Sequence, residues 1–175
     1  MATAPRVPAV IGIDPGMKGA FCLLVPETRQ VSFMLTTLPA RELLEWIQEV
    51  DRVYNLTVCM IEEVGFIQGS AGKASVTFGR SIERVNIIPE IAELRVDKVR
   101  PKAWQKEIGV IVPATMSGPG NAAKRKKFIK DNVASIALRL YPKAELHGPK
   151  GGLLDGRSDA LMIAHYGFLK YNKSP

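Results

Sequence analysis

The sequence is poor in cysteine and histidine, and each shortage excludes a class of protein. Two cysteines in 175 residues exclude a disulfide-framed secreted domain and a cysteine-rich zinc module. Cys22 and Cys59 both lie in apolar runs, as buried thiols of a reducing compartment do. The two histidines, His147 and His165, are not at metal-ligand spacing. This composition predicts an intracellular protein of a reducing compartment.

Long apolar runs are also lacking, while basic residues are abundant. No run approaches the roughly 18 residues that a membrane span needs, and the first ten residues contain no signal-peptide core. The net charge is +7, and residues 95–150 carry thirteen Lys and Arg against four acids. A basic second half favours a nucleic-acid partner over a membrane, and a surface tuned for solubility is the alternative.

Apolar runs separated by turn residues predict one α/β domain over residues 1–175. Three short strands come first, and their short turns predict an antiparallel meander. The predicted strands are Ala9–Asp14, Ala20–Val25, Val31–Leu35, Leu56–Ile61 and Glu93–Val99. The predicted helices are 40–54, Ala74–Ile88, 101–109, Ala122–Tyr141 and Gly156–Tyr171. Pro89 is expected to end or kink the second helix, and Trp46 and Trp104 are expected to lie in the core. A meander followed by alternating strands and helices predicts a mixed sheet with helices on its faces.

Four acidic residues stand at the ends of these elements. Asp14 ends the first strand, Glu62 ends the central strand, and Asp155 and Asp159 open the last helix, where residues four apart share a face. Carboxylates that converge repel one another, and a divalent cation removes that cost. A pair of such ions beside a basic surface would suit phosphodiester cleavage.

Each acid also has a simpler interpretation. Asp14 precedes Pro-Gly, which is common turn chemistry, and Asp155 could act only as the N-cap of its helix. Glu63 alternates with Glu62 along the strand, so only one of them can face the site, and we favour Glu62.

Three segments together resemble the RuvC family of Holliday-junction resolvases. They are IGIDPG at 11–16, IEEV at 61–64 and DGRSDALMIAHYG at 155–167, in the family's order and at suitable spacing. The sequence is more similar to phage and organellar-type members than to the bacterial enzyme, which implies the cytoplasm of a bacterial or phage-infected cell, or an organelle, as its location. The resemblance implies an RNase H-like fold with a five-stranded mixed sheet flanked by helices. It also implies a homodimer, with the second helix as the contact, that makes paired symmetric nicks in four-way branched DNA.

The resemblance assigns roles to individual residues. Asp14, Glu62 and Asp159 match the family's metal ligands, which hold two Mg²⁺ ions, with Mn²⁺ as the alternative. The bacterial pattern has an acid three residues before the last Asp, where this chain has Gly156, so Asp155 is matched less closely. No nucleotide cofactor is implied. The family's aromatic wedge corresponds to Phe66, for which anchoring the loop to the core is the alternative.

Basic residues on the helices are the predicted DNA contacts. They are Lys73, Arg80, Arg84, Lys102, Lys124, Arg125, Lys126 and Lys127. The cluster at 124–127 is the best candidate, because it follows a Gly- and Pro-rich loop at the start of a helix. Lys18 and His147 are weaker candidates for phosphate contact.

Two other functions remain open on the sequence. One is an RNA-processing or RNA–DNA hybrid nuclease of the same fold, and the other is a catalytically inactive DNA-binding module. An actin-like kinase shares the GIDPG turn, but the chain is too short for two such domains and lacks a second phosphate loop.

Overall fold

A five-stranded mixed sheet forms the centre of the computed structural model, which describes residues 5–64 and 73–171. The strands are β1 (Pro8–Ile13), β2 (Ala20–Val25), β3 (Gln30–Leu35), β4 (Asn55–Glu62) and β5 (Val96–Val99). Their order is β3-β2-β1-β4-β5, with β2 antiparallel to β1 and β3, and β4 parallel to β1 and β5. The predicted meander and mixed sheet are confirmed.

Five helices are described around this sheet. They are α1 (Ala40–Val53), α2 (Lys73–Ile91), α3 (Pro101–Glu107), α4 (Ala122–Leu140) and α5 (Asp155–Tyr171), with short 3-10 turns at Ala114–Met116 and Pro119–Asn121. None of the described helices is long and apolar enough to cross a membrane.

The end of α2 differs from the prediction. The helix does not stop at Ile88 but includes Pro89 and continues to Ile91. A proline there is tolerated because only one backbone donor is lost so near the helix end. The carbonyl of Pro89 accepts the N–H of Leu94, and Glu93 closes the turn at φ +56°. This left-handed turn also delays β5, which begins at Val96 rather than at Glu93 as predicted.

Helices cover both faces of the sheet, which explains why β1 and β2 are apolar on both sides. One face packs against α1 and α2 around Ile13, Ile47 and Ile88. The other face packs against α3, α4 and α5, and Trp104 is fully buried there as predicted. Trp46 is only half-buried. Both cysteines are free and buried, as predicted.

Two glycines allow α5 to lie directly against β1 and the turn that follows it. A Cβ on Gly12 would lie 2.2 Å from the carbonyl oxygen of Ala160, and a Cβ on Gly156 would lie 2.0 Å from that of Lys18. Gly156 also forms an isolated bridge with Gly19. Only glycine permits this approach, which brings the first turn of α5 to the carboxyl end of β1.

Candidate active site

The four predicted acids lie together at one edge of the sheet. β1 and β4 are parallel neighbours in register, with Ile13 opposite Ile61, so Asp14 and Glu62 emerge at the same edge. The close approach of α5 adds Asp155 and Asp159. Each of the four carboxylates interacts electrostatically with at least one other member of the group. The fold therefore gathers residues that are up to 145 positions apart in the sequence.

Asp14 is held by the turn that it begins. The backbone N–H of Gly16 donates to its Oδ1 at 2.9 Å, and the N–H of Asp14 itself donates to the carbonyl of Ala20 at 3.1 Å. The turn interpretation and the site interpretation are thus compatible, because one carboxylate oxygen serves the turn. Burial raises the pKa of Asp14, the Gly16 bond opposes that rise, and Asp155 adds to it.

Glu62 faces the site and Glu63 faces away from it. The indole N–H of Trp104 donates to Glu62 Oε1 at 2.8 Å. Burial raises the pKa of Glu62 to about 7, against the lowering effect of the Trp104 bond and with a contribution from the charge of Asp14. Glu63 is exposed and forms an ion pair with Arg100 at 3.2 Å. The alternation along β4 therefore gives the two neighbours different environments, as the sequence indicates.

Asp159 and Asp155 share the first turns of α5 but differ in charge environment. Burial raises the pKa of Asp159 well above its usual value, and the charges of Asp14, Glu62 and Asp155 raise it further. Burial also acts to raise the pKa of Asp155, but an ion pair with Lys130 outweighs it and the net shift is downward. Lys130 is therefore the main positive charge that the structure places among these acids.

The first turn of α5 is closed mainly by backbone and hydroxyl hydrogen bonds. The N–H groups of Arg157 and Ser158 both donate to the carbonyl of Leu154, at 2.9 and 3.4 Å. The hydroxyl of Ser158 turns back to the carbonyl of Asp155 at 2.8 Å. The carboxylate of Asp155 pairs with Lys130, and a backbone hydrogen bond at Asp155 itself also lowers its pKa, so a local role at the helix start and a role in the site are compatible.

The donor set fits a hard divalent cation in kind and in charge. Three of the four carboxylates have raised pKa values because burial and mutual repulsion are not fully compensated. A cation held by oxygen ligands would supply that compensation. As the side chains stand, no three described His, Cys, Asp or Glu residues converge closely enough to hold one ion. In this conformation Asp155 is paired with Lys130, so a cation held by all four carboxylates would take the place of that ammonium group.

The basic start of α4 lies beside three of the four carboxylates. A cavity of about 290 Å³ is lined by Glu62 and Asp159 together with Arg125, Lys126 and Lys130. A second cavity of about 440 Å³ is lined by Asp155 together with Lys126, Lys127 and Lys130. Two openings therefore connect the acids to one cationic surface. Lys124, Lys126 and Lys127 are exposed there, and Lys127 also pairs with Asp131 at 2.5 Å.

The remaining predicted DNA contacts are spread more widely. Arg80 on α2 and Lys102 on α3 are exposed. Arg84 is half-buried and binds the carbonyls of Thr36 and Leu38, so its guanidinium is turned toward the protein and not toward solvent. Phe66 lies outside the described residues, and of Lys73 only the backbone, at the start of α2, is described.

Two residues of the site were not predicted from the sequence. Lys130 lies one helical turn beyond Lys126 on the same face, a spacing that could have extended the basic cluster to the acids. Trp104 was assigned to the core alone. A buried indole N–H needs an acceptor, and that requirement was the available signal for a polar partner. His147 is exposed and lines neither cavity beside the acids. Lys18 is also exposed and lines neither cavity, but its charge contributes to lowering the pKa of Asp155.

Comparison with known proteins supports the fold. No family model matches the sequence, and no curated protein matches it. The chain is similar in structure to Thermus thermophilus RuvC in complex with a Holliday junction substrate, with a TM-score of 0.58 and 17% identity over 94% of this chain and 96% of that one. A second T. thermophilus RuvC structure gives a TM-score of 0.52 and 21% identity over 93% of this chain and 96% of that one. The crystal structure of the yeast mitochondrial Holliday junction resolvase Ydc2 gives a TM-score of 0.47 and 15% identity over 98% of this chain and 84% of that one. The predicted RNase H-like fold is confirmed, and at these identities the likeness concerns the fold alone.

Proposed function

We propose that this chain is a divalent-metal-dependent endonuclease that resolves four-way DNA junctions by paired symmetric nicks. The observation that carries this proposal is the group of four carboxylates from β1, β4 and α5, three of which line two cavities together with cationic side chains of α4. Buried acids with raised pKa values suit cation binding, and a basic surface suits a phosphate backbone. The fold shared with RuvC in complex with a Holliday junction substrate favours branched DNA as the form of that backbone.

Asp14, Glu62, Asp155 and Asp159 are the proposed ligands of two Mg²⁺ ions, with Mn²⁺ as the alternative. When bound, the ions supply Lewis acidity toward the scissile phosphodiester and its attacking water. Trp104 keeps Glu62 oriented toward the site. If a bound cation takes the place of Lys130 beside Asp155, the Lys130 ammonium group can contact the scissile phosphate from within the same cavities.

The remaining residues bind and orient DNA in this proposal. Lys124, Arg125, Lys126 and Lys127 contact the backbone beside the acids, and Lys102 and Arg80 extend the cationic surface. Phe66 and Lys73 are retained as proposed contacts from the sequence. Such contacts read the shape of the junction more than its bases, so any sequence preference would come from local distortion at the cut.

Paired nicks require two active sites, and α2 is the proposed contact between two copies. Its described part carries large apolar side chains that are open to solvent, among them Val76, Ile87 and Ile91, which are 54%, 44% and 56% exposed. Exposed apolar side chains on one helix are typical of an interface. Sedimentation should show a dimer for the unmodified protein and a monomer for Ile87→Glu. A monomeric unmodified protein would contradict this part of the proposal.

Cation binding can be measured without DNA. Trp104 contacts Glu62, whereas Trp46 lies on the other face of the sheet against Phe21, with ring centroids 6.5 Å apart. A Trp46→Phe protein therefore reports on the site through Trp104 fluorescence alone. We expect Mg²⁺ to change that fluorescence saturably, and Asp159→Asn to abolish the change. A protein that shows no saturable response has no cation site of the proposed kind.

The decisive assay compares DNA substrates. Four-way junctions, linear duplexes and RNA–DNA hybrids of equal length are incubated with the protein and Mg²⁺. We expect symmetric cuts in the junction, and loss of cutting with retained binding for Asp14→Asn. Cutting of hybrids alone would establish the RNA-directed alternative. Junction binding without cutting by the unmodified protein would establish the inactive binding module.

A further inference from the structure

Thr36 is a buried polar residue that contacts the turn following Asp14. Its side chain lies just after β3 and the residue is 1% exposed. The hydroxyl donates to the carbonyls of Gly16 at 2.9 Å and Gly19 at 3.1 Å, and the backbone N–H of Thr36 donates to Gly19 at 3.2 Å. Both ends of the turn are therefore tied to one residue from a different part of the chain.

The turn transmits this contact to the Asp14 carboxylate. Gly16 accepts the Thr36 hydroxyl at its carbonyl and donates its N–H to Asp14 Oδ1 at 2.9 Å. The N–H of Gly19 also donates to the Gly16 carbonyl, at 2.9 Å. The Thr36 hydroxyl is thus separated from the carboxylate by a single residue, and a shift of Gly16 would change the direction of Oδ1.

Arg84 fixes Thr36 from the side of α2. Its Nη1 donates to the carbonyl of Leu38 at 2.7 Å, and its Nη2 donates to the carbonyl of Thr36. The guanidinium therefore binds the chain on both sides of residue 37. Bonds from a charged donor to backbone carbonyls are stronger than neutral ones, and the planar fork of arginine fixes their geometry.

We infer that Thr36 and Arg84 are positioning residues that hold Asp14 in the orientation needed to bind a cation. Neither residue touches the reacting atoms. Both act through the Asp14–Gly19 turn, so their loss lowers cation affinity and leaves DNA binding intact. The inference rests on the proposed function only in taking Asp14 as a cation ligand. It assigns to Arg84 a different role from the phosphate contact that the sequence predicts.

The first experiment compares two substitutions of Thr36 in the Trp46→Phe protein. Thr36→Val keeps the shape but removes the hydroxyl, and Thr36→Ser restores it. Loss of a partner of a metal ligand typically costs roughly ten- to hundredfold in affinity. We expect the Mg²⁺ dissociation constant, read from Trp104 fluorescence below the unfolding temperature, to rise about tenfold for Thr36→Val and less than about threefold for Thr36→Ser. Equal affinity for Thr36→Val and the parent overturns the inference.

The second experiment separates positioning from DNA contact, and it stands even if Thr36→Val does not fold. Arg84→Gln is compared with Arg80→Gln, which removes the same charge one turn earlier on α2, at a residue that is exposed. The slope of log K for junction binding against log salt falls by roughly one for each lost phosphate contact. We expect Arg84→Gln to weaken Mg²⁺ binding about tenfold with an unchanged slope, and Arg80→Gln to lower the slope with unchanged Mg²⁺ binding.

The outcomes distinguish this inference from the proposed function. If the unmodified protein binds no Mg²⁺, the proposed function fails and the inference fails with it. If the unmodified protein binds Mg²⁺ and Arg84→Gln reduces the salt slope while keeping Mg²⁺ affinity, Arg84 is a DNA contact and only the inference fails.

Discussion

Replacing Glu62 by Gln should stabilise the metal-free protein while abolishing cleavage. Burial raises the pKa of Glu62 from 4.5 in an ordinary environment to about 7 in the fold. Between these two pH values the folded protein keeps a proton that the unfolded chain has lost, so the free energy of unfolding falls as pH rises through this window. Gln is neutral at every pH and removes this loss.

The magnitude follows from the displacement of the pKa. Each pH unit between the two pKa values is worth about 1.4 kcal/mol, so ionised Glu62 destabilises the metal-free protein by about 3 kcal/mol at pH 8. At pH 5 ionisation of Glu62 destabilises the metal-free protein by less than about 1 kcal/mol. For a chain of this length, about 3 kcal/mol corresponds to a Tm increase of roughly 6–12 °C. Gln still accepts the Trp104 N–H, so that bond is retained.

The assay is thermal unfolding in EDTA at pH 5 and pH 8, with Glu63→Gln as the matched control. Glu63 is the neighbouring acid, but it is exposed and paired with Arg100, and exposed ion pairs are worth about 1 kcal/mol or less. We expect Glu63→Gln to change Tm little at either pH. A Glu62→Gln protein that is no more stable than the parent at pH 8, or is stabilised equally at both pH values, would contradict this prediction.

Three further predictions concern other residues of the same face of the sheet. Trp104→Phe keeps the ring but removes the donor to Glu62, so Mg²⁺ affinity by calorimetry should fall about tenfold, and unchanged affinity would contradict the role given to the indole. Lys130→Met removes the cation that competes for Asp155, so Mg²⁺ should bind at least as tightly while single-turnover cleavage slows; weaker Mg²⁺ binding would argue against that competition. Burial lowers the pKa of His165, whose Nδ1 forms a hydrogen bond with the Tyr141 hydroxyl at 2.7 Å. In the unfolded chain this histidine takes up a proton below about pH 6.5, before the folded protein does, so the free energy of unfolding falls as the pH falls. His165→Gln should flatten this decline in urea midpoints from pH 7.5 to 5.5, and exposed His147→Gln should keep it; a parallel decline in both variants would exclude His165 as its source.

Local patterns in the sequence were sufficient to predict the elements and the two acids that end strands. The apolar runs around Val10, Leu23 and Met60 determine buried strands, because each side chain meets a covering helix. Asp14 and Glu62 follow such runs directly, so their position at a sheet edge needs no tertiary information. The ends of α2 and β5 were predicted less well, since a single left-handed residue, Glu93, decides where one stops and the other begins.

The tertiary structure alone decided which polar groups face each other. Lys130 meets Asp155, Trp104 meets Glu62, and Arg84 meets Thr36, each across 25 residues or more of sequence. No pattern within one element encodes such pairs, because they depend on the order of the strands and on how closely α5 approaches β1. Residue patterns within single elements are enough to place acids at the ends of elements and basic residues on the neighbouring helices. The packing of those elements decided that Asp155 meets an ammonium group, that Glu62 accepts an indole N–H and that Arg84 is turned toward the protein.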